Sequence, residues 1–170
     1  MSFFKNYIFI WILILGACSK PLPQLPSNKG ETEQSTQAKS LLLINSSLAQ
    51  KEDSILRIYA SSHDQGLKKC NVGFWYRLVK ETNGEQIKNK ERFHYFWKVK
   101  LMDGTKINEQ FGSAIMGHKE IIVGLEECLK LMHKGDSACV LIPSYLAYGR
   151  KGKGQIAPYT SIICEVKLLK

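Results

Sequence analysis

Few of the side chains able to do chemistry stand at spacings that would do any. His63, His94, His118 and His133 have no metal-ligand spacing among themselves or with the cysteines, so no metal is expected. No C-x-x-C pair occurs among the five cysteines. Apart from Cys18 they are Cys70, Cys128, Cys139 and Cys164; their even number permits disulfides in an oxidising envelope, but three of these four lie within apolar segments, which reads as buried free thiols for most of them. Gly149 to Pro158 holds three glycines beside Arg150, Lys151 and Lys153, but lacks the G-x-x-x-x-G-K-[ST] spacing of a phosphate loop. The same loop has Tyr148-Gly149 at its mouth and holds Ile156, an apolar residue isolated between Gln155 and Ala157.

The first residues carry chemistry of another kind. Lys5 precedes an apolar run from Tyr7 to Leu15, and small residues follow. A basic start, an apolar stretch and a small-residue break form a secretory signal. The run is about half of the roughly 20 residues that a bilayer span needs. Leu15-Gly16-Ala17-Cys18 resembles the bacterial lipobox. That resemblance implies removal of residues 1–17, lipidation of the Cys18 thiol and acylation of the new amino terminus, and several acyl chains hold a protein durably on a membrane. Ser19 and Lys20 offer no acidic run for export to the outer surface, so the expected product is an envelope lipoprotein facing the periplasm.

The net charge is +9, and loss of Lys5 with the signal leaves 23 basic against 15 acidic residues, or +8. The charges are dispersed and no run of five basic residues exists. The pattern is a solvated surface and not a nucleic-acid site.

The elements that must position Tyr148 and Ile156 follow from periodicity. Residues 18–40, with Pro21, Pro23 and Pro26 and no apolar period, read as a tether. Residues 41–70 form a helical segment. Its helix is expected over Leu41 to Ser62, with a stripe of Leu41, Ile44, Leu48, Ile55 and Tyr59, and Ser47 with Gln50 offers a capping box from which it could start. Residues 71–170 form the main domain. Strands are expected at Phe74–Val79, Arg92–Leu101, Thr105–Glu109 and Ser113–Met116, a helix over Glu120–His133 stopped by Gly135, and two alternating strands over Asp136–Ile142 and Thr160–Leu169. The class is α+β, one antiparallel sheet wrapped around one short helix and preceded by an N-terminal helix. Nothing in the pattern sets an oligomeric state.

Gly124-Leu125-Glu126-Glu127, Leu131-Met132, Lys134-Gly135-Asp136, Ala147-Tyr148-Gly149 and the ending Cys164-Glu165-Val166-Lys167-Leu168-Leu169 resemble, in this order, the C-terminal half of FKBP-type peptidyl-prolyl cis/trans isomerases. The lipobox, the helix near residue 50 and Gly73-Phe74-Trp75-Tyr76 are similar to something narrower, the gliding-motility-associated isomerase lipoproteins of gliding bacteria.

The resemblance implies proline-containing polypeptides as partners, a membrane contact through lipidated Cys18, and no cofactor. An X–Pro amide has nearly balanced isomers separated by about 18–20 kcal/mol, because rotation destroys amide resonance. A catalyst must favour the twisted amide over the planar one. An apolar pocket does so by removing water from the carbonyl, and donors placed for the twisted geometry add to it. By resemblance Tyr148 is the flap tyrosine that hydrogen-bonds substrate backbone. Ile121 and Ile122 are the pair entering the helix, where the second supplies a wall and a backbone N–H, and Ile156 is the flap tip. Trp97 falls where the family has a tyrosine, and by alternation shares a face with Tyr95 and Val99. Other positions depart from the family. Leu125 replaces the tryptophan of the pocket floor, Ile107 an aromatic wall, Asn108 an aspartate and Cys164 an aromatic on the last strand. The flap is one residue shorter than in the best-known members. Two functions follow as expectations: an envelope isomerase for exported proteins, and an FKBP-like binding module with little turnover.

Overall fold

In a computed structural model of the chain, residues 29–63 and 66–170 are described, residues 29–34 by their backbone. Cys18, its lipobox and the first part of the expected tether lie outside the described residues. No helix among the described residues is long and apolar enough to cross a membrane.

Helix α1 runs Lys29–His63, so it begins well before Leu41 and includes residues expected to be tether. Glu, Gln, Ala and Lys populate that early part, and such straight-chain residues sustain a helix without an apolar stripe. Ser47 does not cap a terminus: it lies inside the helix, and its hydroxyl donates to the Ile44 carbonyl at 2.8 Å. The buried face also differs from the expected one. Glu52, Leu56 and Ala60 point inward, while Leu41, Ile44 and Ile55 are exposed. Leu56 and Ala60 pack with Leu141 and Ile163 of the sheet.

The sheet has six strands in the order β1-β2-β5-β6-β3-β4, with every neighbouring pair antiparallel. They are β1 (Lys68–Lys69), β2 (Trp75–Lys80), β3 (Arg92–Leu101), β4 (Lys106–Ile115), β5 (Ser137–Ile142) and β6 (Ile162–Leu168). The two short strands expected over 105–116 are one, because β4 follows β3 in register from Arg92↔Ile115 to Val99↔Asn108. Lys100 then pairs with Lys106, which leaves Ile107 as the extra residue of a β-bulge.

Alternation sorts the two faces as the sequence implies. Ala138, Val140 and Ile142 of β5, and Ile162, Cys164, Val166 and Leu168 of β6, are buried in one core. That core receives α2 (Val123–Leu129), a shorter helix than the expected Glu120–His133. Lys119 at φ 56° holds the chain in the left-handed region just before it, and the i→i−3 bonds of Leu131 and Met132 tighten its exit. Gly135 at φ 100° then turns the chain into β5. Gly124 is required where it stands, since a Cβ there would meet Ile142 Cγ2 at 2.4 Å.

Candidate active site

β3, β4, α2, β6 and the loop between β5 and β6 bring most of the expected residues together. Trp97, Leu125, Ile156 and Cys164 are buried members of one apolar cluster, and Ile107, Ile121, Ile122 and Tyr148 are half-buried against it. Leu125 and Cys164 are 0% exposed, Ile156 4% and Trp97 7%, so all four are closed off from solvent. Asn108 lies at the edge of this group. It is exposed, next to the bulge at Ile107 and opposite Val99.

The loop that carries Tyr148 and Ile156 is built by short-range hydrogen bonds. A 3-10 turn, Ser144–Leu146, leads out of β5. The Ser144 carbonyl accepts the N–H groups of Ala147 at 3.0 Å and Gly149 at 2.8 Å. Tyr159 N–H donates to the Gly149 carbonyl at 2.9 Å and closes the loop's base. Lys153 and Ile156 exchange backbone hydrogen bonds of 2.9 Å, which turns the tip so that Ile156 reaches the core instead of solvent.

Tyr148 combines a half-buried ring with a hydroxyl that has no hydrogen-bond partner among the described residues. Burial pushes its phenol above the ordinary range, and the neighbouring Cys164 and Tyr95 add to the shift. It therefore stays protonated and able to donate across physiological pH. Lys153 Nζ lies 5.5 Å from the Tyr148 ring centroid. A second donor is unmet: Trp97 Nε1 is buried without an acceptor among the described residues. An unpaired buried N–H costs about 1–3 kcal/mol, which a substrate carbonyl would recover.

The two buried thiols of the cluster are poor nucleophiles. Among the described residues, Cys70, Cys128, Cys139 and Cys164 form no disulfide. Burial pushes Cys128 up to about 12 and raises Cys164 well above its usual range, so both stay as thiols.

The roles assigned from sequence left out Tyr95. It is buried on β3 beside Trp97, with ring centroids 6.1 Å apart. It faces Gly112, where a Cβ would meet its ring at 2.5 Å. The alternation with Trp97 and Val99 placed it on that face, and a glycine directly across an aromatic was the further signal.

Comparison with known proteins identifies the family and the fold. A family model described as FKBP-type peptidyl-prolyl cis-trans isomerase matches residues 83–169. The chain belongs to this FKBP family. The FKBP-type isomerase FkpA of Escherichia coli strain K12 is 29% identical over 109 residues, covering 62% of this chain and 40% of the relative. A probable FkpA of Neisseria meningitidis serogroup B is 28% identical over 126 residues, covering 72% of this chain and 46% of the relative. The chain thus spans about half the length of the curated relatives it matches. The crystal structure of E. coli FkpA superposes with a TM-score of 0.61 at 24% identity, over 86% of this chain and 73% of that one. Its likeness is one of fold, and the fold is FKBP-like.

Proposed function

We propose that this chain is a peptidyl-prolyl cis/trans isomerase held on the bacterial envelope through lipidated Cys18, facing the periplasm and assisting the folding or assembly of exported polypeptides, those of a gliding or secretion machine among them. One observation carries the reading: Tyr148, its phenol protonated and without a hydrogen-bond partner among the described residues, packs half-buried against an apolar cluster that includes Trp97, Leu125 and Ile156. In this reading the prolyl ring rests against Trp97, Ile121, Ile122 and Ile156, with Ile107 as side wall. Tyr148 and the backbone N–H of Ile122 donate to the substrate backbone. Water is excluded from the X–Pro carbonyl, which favours the twisted amide over the planar one. Asn108, exposed at the rim, contributes polar contact to the residue before proline.

A second reading has a specific support. Leu125 and Cys164 are fully buried, so the floor is closed where the family has bulkier aromatics. An FKBP-like binding module of the same machine, with little turnover, fits that floor.

A protease-coupled isomerase assay on the full chain separates the two. Turnover of a prolyl peptide, reduced in Tyr148→Phe, is the expected result, whereas peptide binding without turnover would select the binding module. The anchor is tested by radiolabelled fatty acid, which should label the wild type and not Cys18→Ala. Equal labelling of both would overturn the anchoring.

A further inference from the structure

Glu52 is a carboxylate on α1 that the proposed chemistry does not use, and it is 8% exposed. Its Oε2 accepts the Ser144 backbone N–H at 2.6 Å and its Oε1 accepts the Ser144 hydroxyl at 2.5 Å. The Ser161 hydroxyl donates to Oε2 at 3.3 Å. These donors are the two feet of one loop. Ser144 begins the 3-10 turn that leads to Tyr148, and Ser161 directly precedes β6. Ser144 is also the residue whose carbonyl holds Ala147 and Gly149. One buried anion thus grips both ends of the segment carrying Tyr148 and Ile156, from a helix outside the sheet.

We infer that Glu52 is a positioning residue for the isomerase loop, fixing Tyr148 and Ile156 over the apolar floor through Ser144 and Ser161. The inference rests on the isomerase reading of that loop. Hydrogen bonds to a charged acceptor are about twice as strong as neutral ones, and a buried carboxylate with three donors holds a single geometry. Without the clamp, the loop keeps only its internal bonds and the flanking strands. Its glycines at positive φ, Gly149, Gly152 and Gly154, leave it free to re-aim Tyr148. Glu52 also explains why α1 buries the face it does, one residue round from its most apolar stripe.

The test is Glu52→Gln in the full chain, with Ser161→Ala as a milder variant that touches one foot only. Hydrogen exchange at the Gly149, Gly152, Ile156 and Tyr159 amides should quicken by about ten-fold or more, while β3 and β6 keep their rates. kcat toward a prolyl peptide should fall several-fold with KM changed far less, because the loop's contact counts most at the twisted amide. Ser161→Ala should move both readouts in the same direction and by less. Unchanged loop exchange and kcat in Glu52→Gln would overturn the inference. So would faster exchange throughout the sheet, which would make Glu52 a general brace. If the wild-type chain shows no turnover, the isomerase reading fails on its own, and loop-restricted exchange still decides the clamp.

Discussion

The apolar cluster around Trp97 and the buried carboxylates around it use opposite physics. The cluster holds Trp97, Leu125, Ile156 and Cys164 by excluding water, with no directional bond among them. Each carboxylate fixes a loop by direction. Asp136, fully buried, accepts Thr82 N–H at 2.6 Å, Thr82 Oγ1 at 2.8 Å and His133 N–H at 2.8 Å. Glu126 of α2 accepts Gly117 N–H at 3.0 Å. Apolar contact is non-directional and tolerates sliding, while charged hydrogen bonds set where the edges of the cluster stand.

The contrast can be broken at either side. The largest effect is expected from Trp97→Ala, which removes a 7%-exposed indole and should destabilise the domain by about 3–5 kcal/mol in chemical denaturation. Trp97→Phe sharpens the point, since it keeps most of the bulk and removes the unmet N–H. It should weaken peptide affinity more than stability, and the opposite result would make Trp97 core alone.

Asp136→Ala comes next, at about 2–3 kcal/mol, because its donors are left buried without an acceptor. The acid behaviour follows from its titration. Burial raises the Asp136 carboxyl, but the hydrogen bonds from His133 and Thr82 outweigh it and leave the group below its ordinary value. A depressed folded value means that its stabilisation is complete above the unfolded carboxylate pKa, near about 4, and is lost as pH falls through the lower folded value. Melting temperature against pH should therefore drop more steeply below pH ~4 in the wild type than in Asp136→Asn. Parallel curves would remove Asp136 from the account.

Glu126→Gln should cost about 1–2 kcal/mol of stability, read from the denaturation midpoint, with little change in kcat. A large loss of kcat at preserved stability would instead mean that the Gly117 turn shapes the site directly. The smallest effect is expected from Tyr148→Phe: one hydrogen bond, about 0.5–1.5 kcal/mol and so a several-fold drop in turnover, with the melting temperature nearly unchanged. A collapsed thermal transition would place Tyr148 with the core.

This division also explains what could be read in the sequence. Gly124, Glu126 and Asp136, which made the family recognisable, hold the scaffold: one allows α2 to approach β5, and two anchor loops. Their roles need a particular residue type, so they leave a signature. Trp97 and Leu125 need only to be apolar and well placed, and in one dimension such residues look like any core, whereas Ile156 stands out because it is isolated between Gln155 and Ala157. Strand alternation was legible in β3, β5 and β6 because one face is dry. The single long β4 was not, because its face is largely exposed and Gly112 interrupts the pattern. The buried face of α1 was missed because it contains Glu52. A charge in an apolar stripe reads as surface until its partners, 92 and 109 residues away, are known.

The strand order carries a consequence for how the domain comes to exist. β6, the last strand in sequence, lies between β5 and β3 near the middle of the sheet. Until it pairs, β1-β2-β5 and β3-β4 are two separate ladders, each with an open edge, and the core has no wall along Ile162 to Leu168. Closure therefore waits on pairings that span much of the domain, which makes folding slow relative to local structure. Such a topology delays commitment: the two ladders stay open along that wall until the final strand pairs.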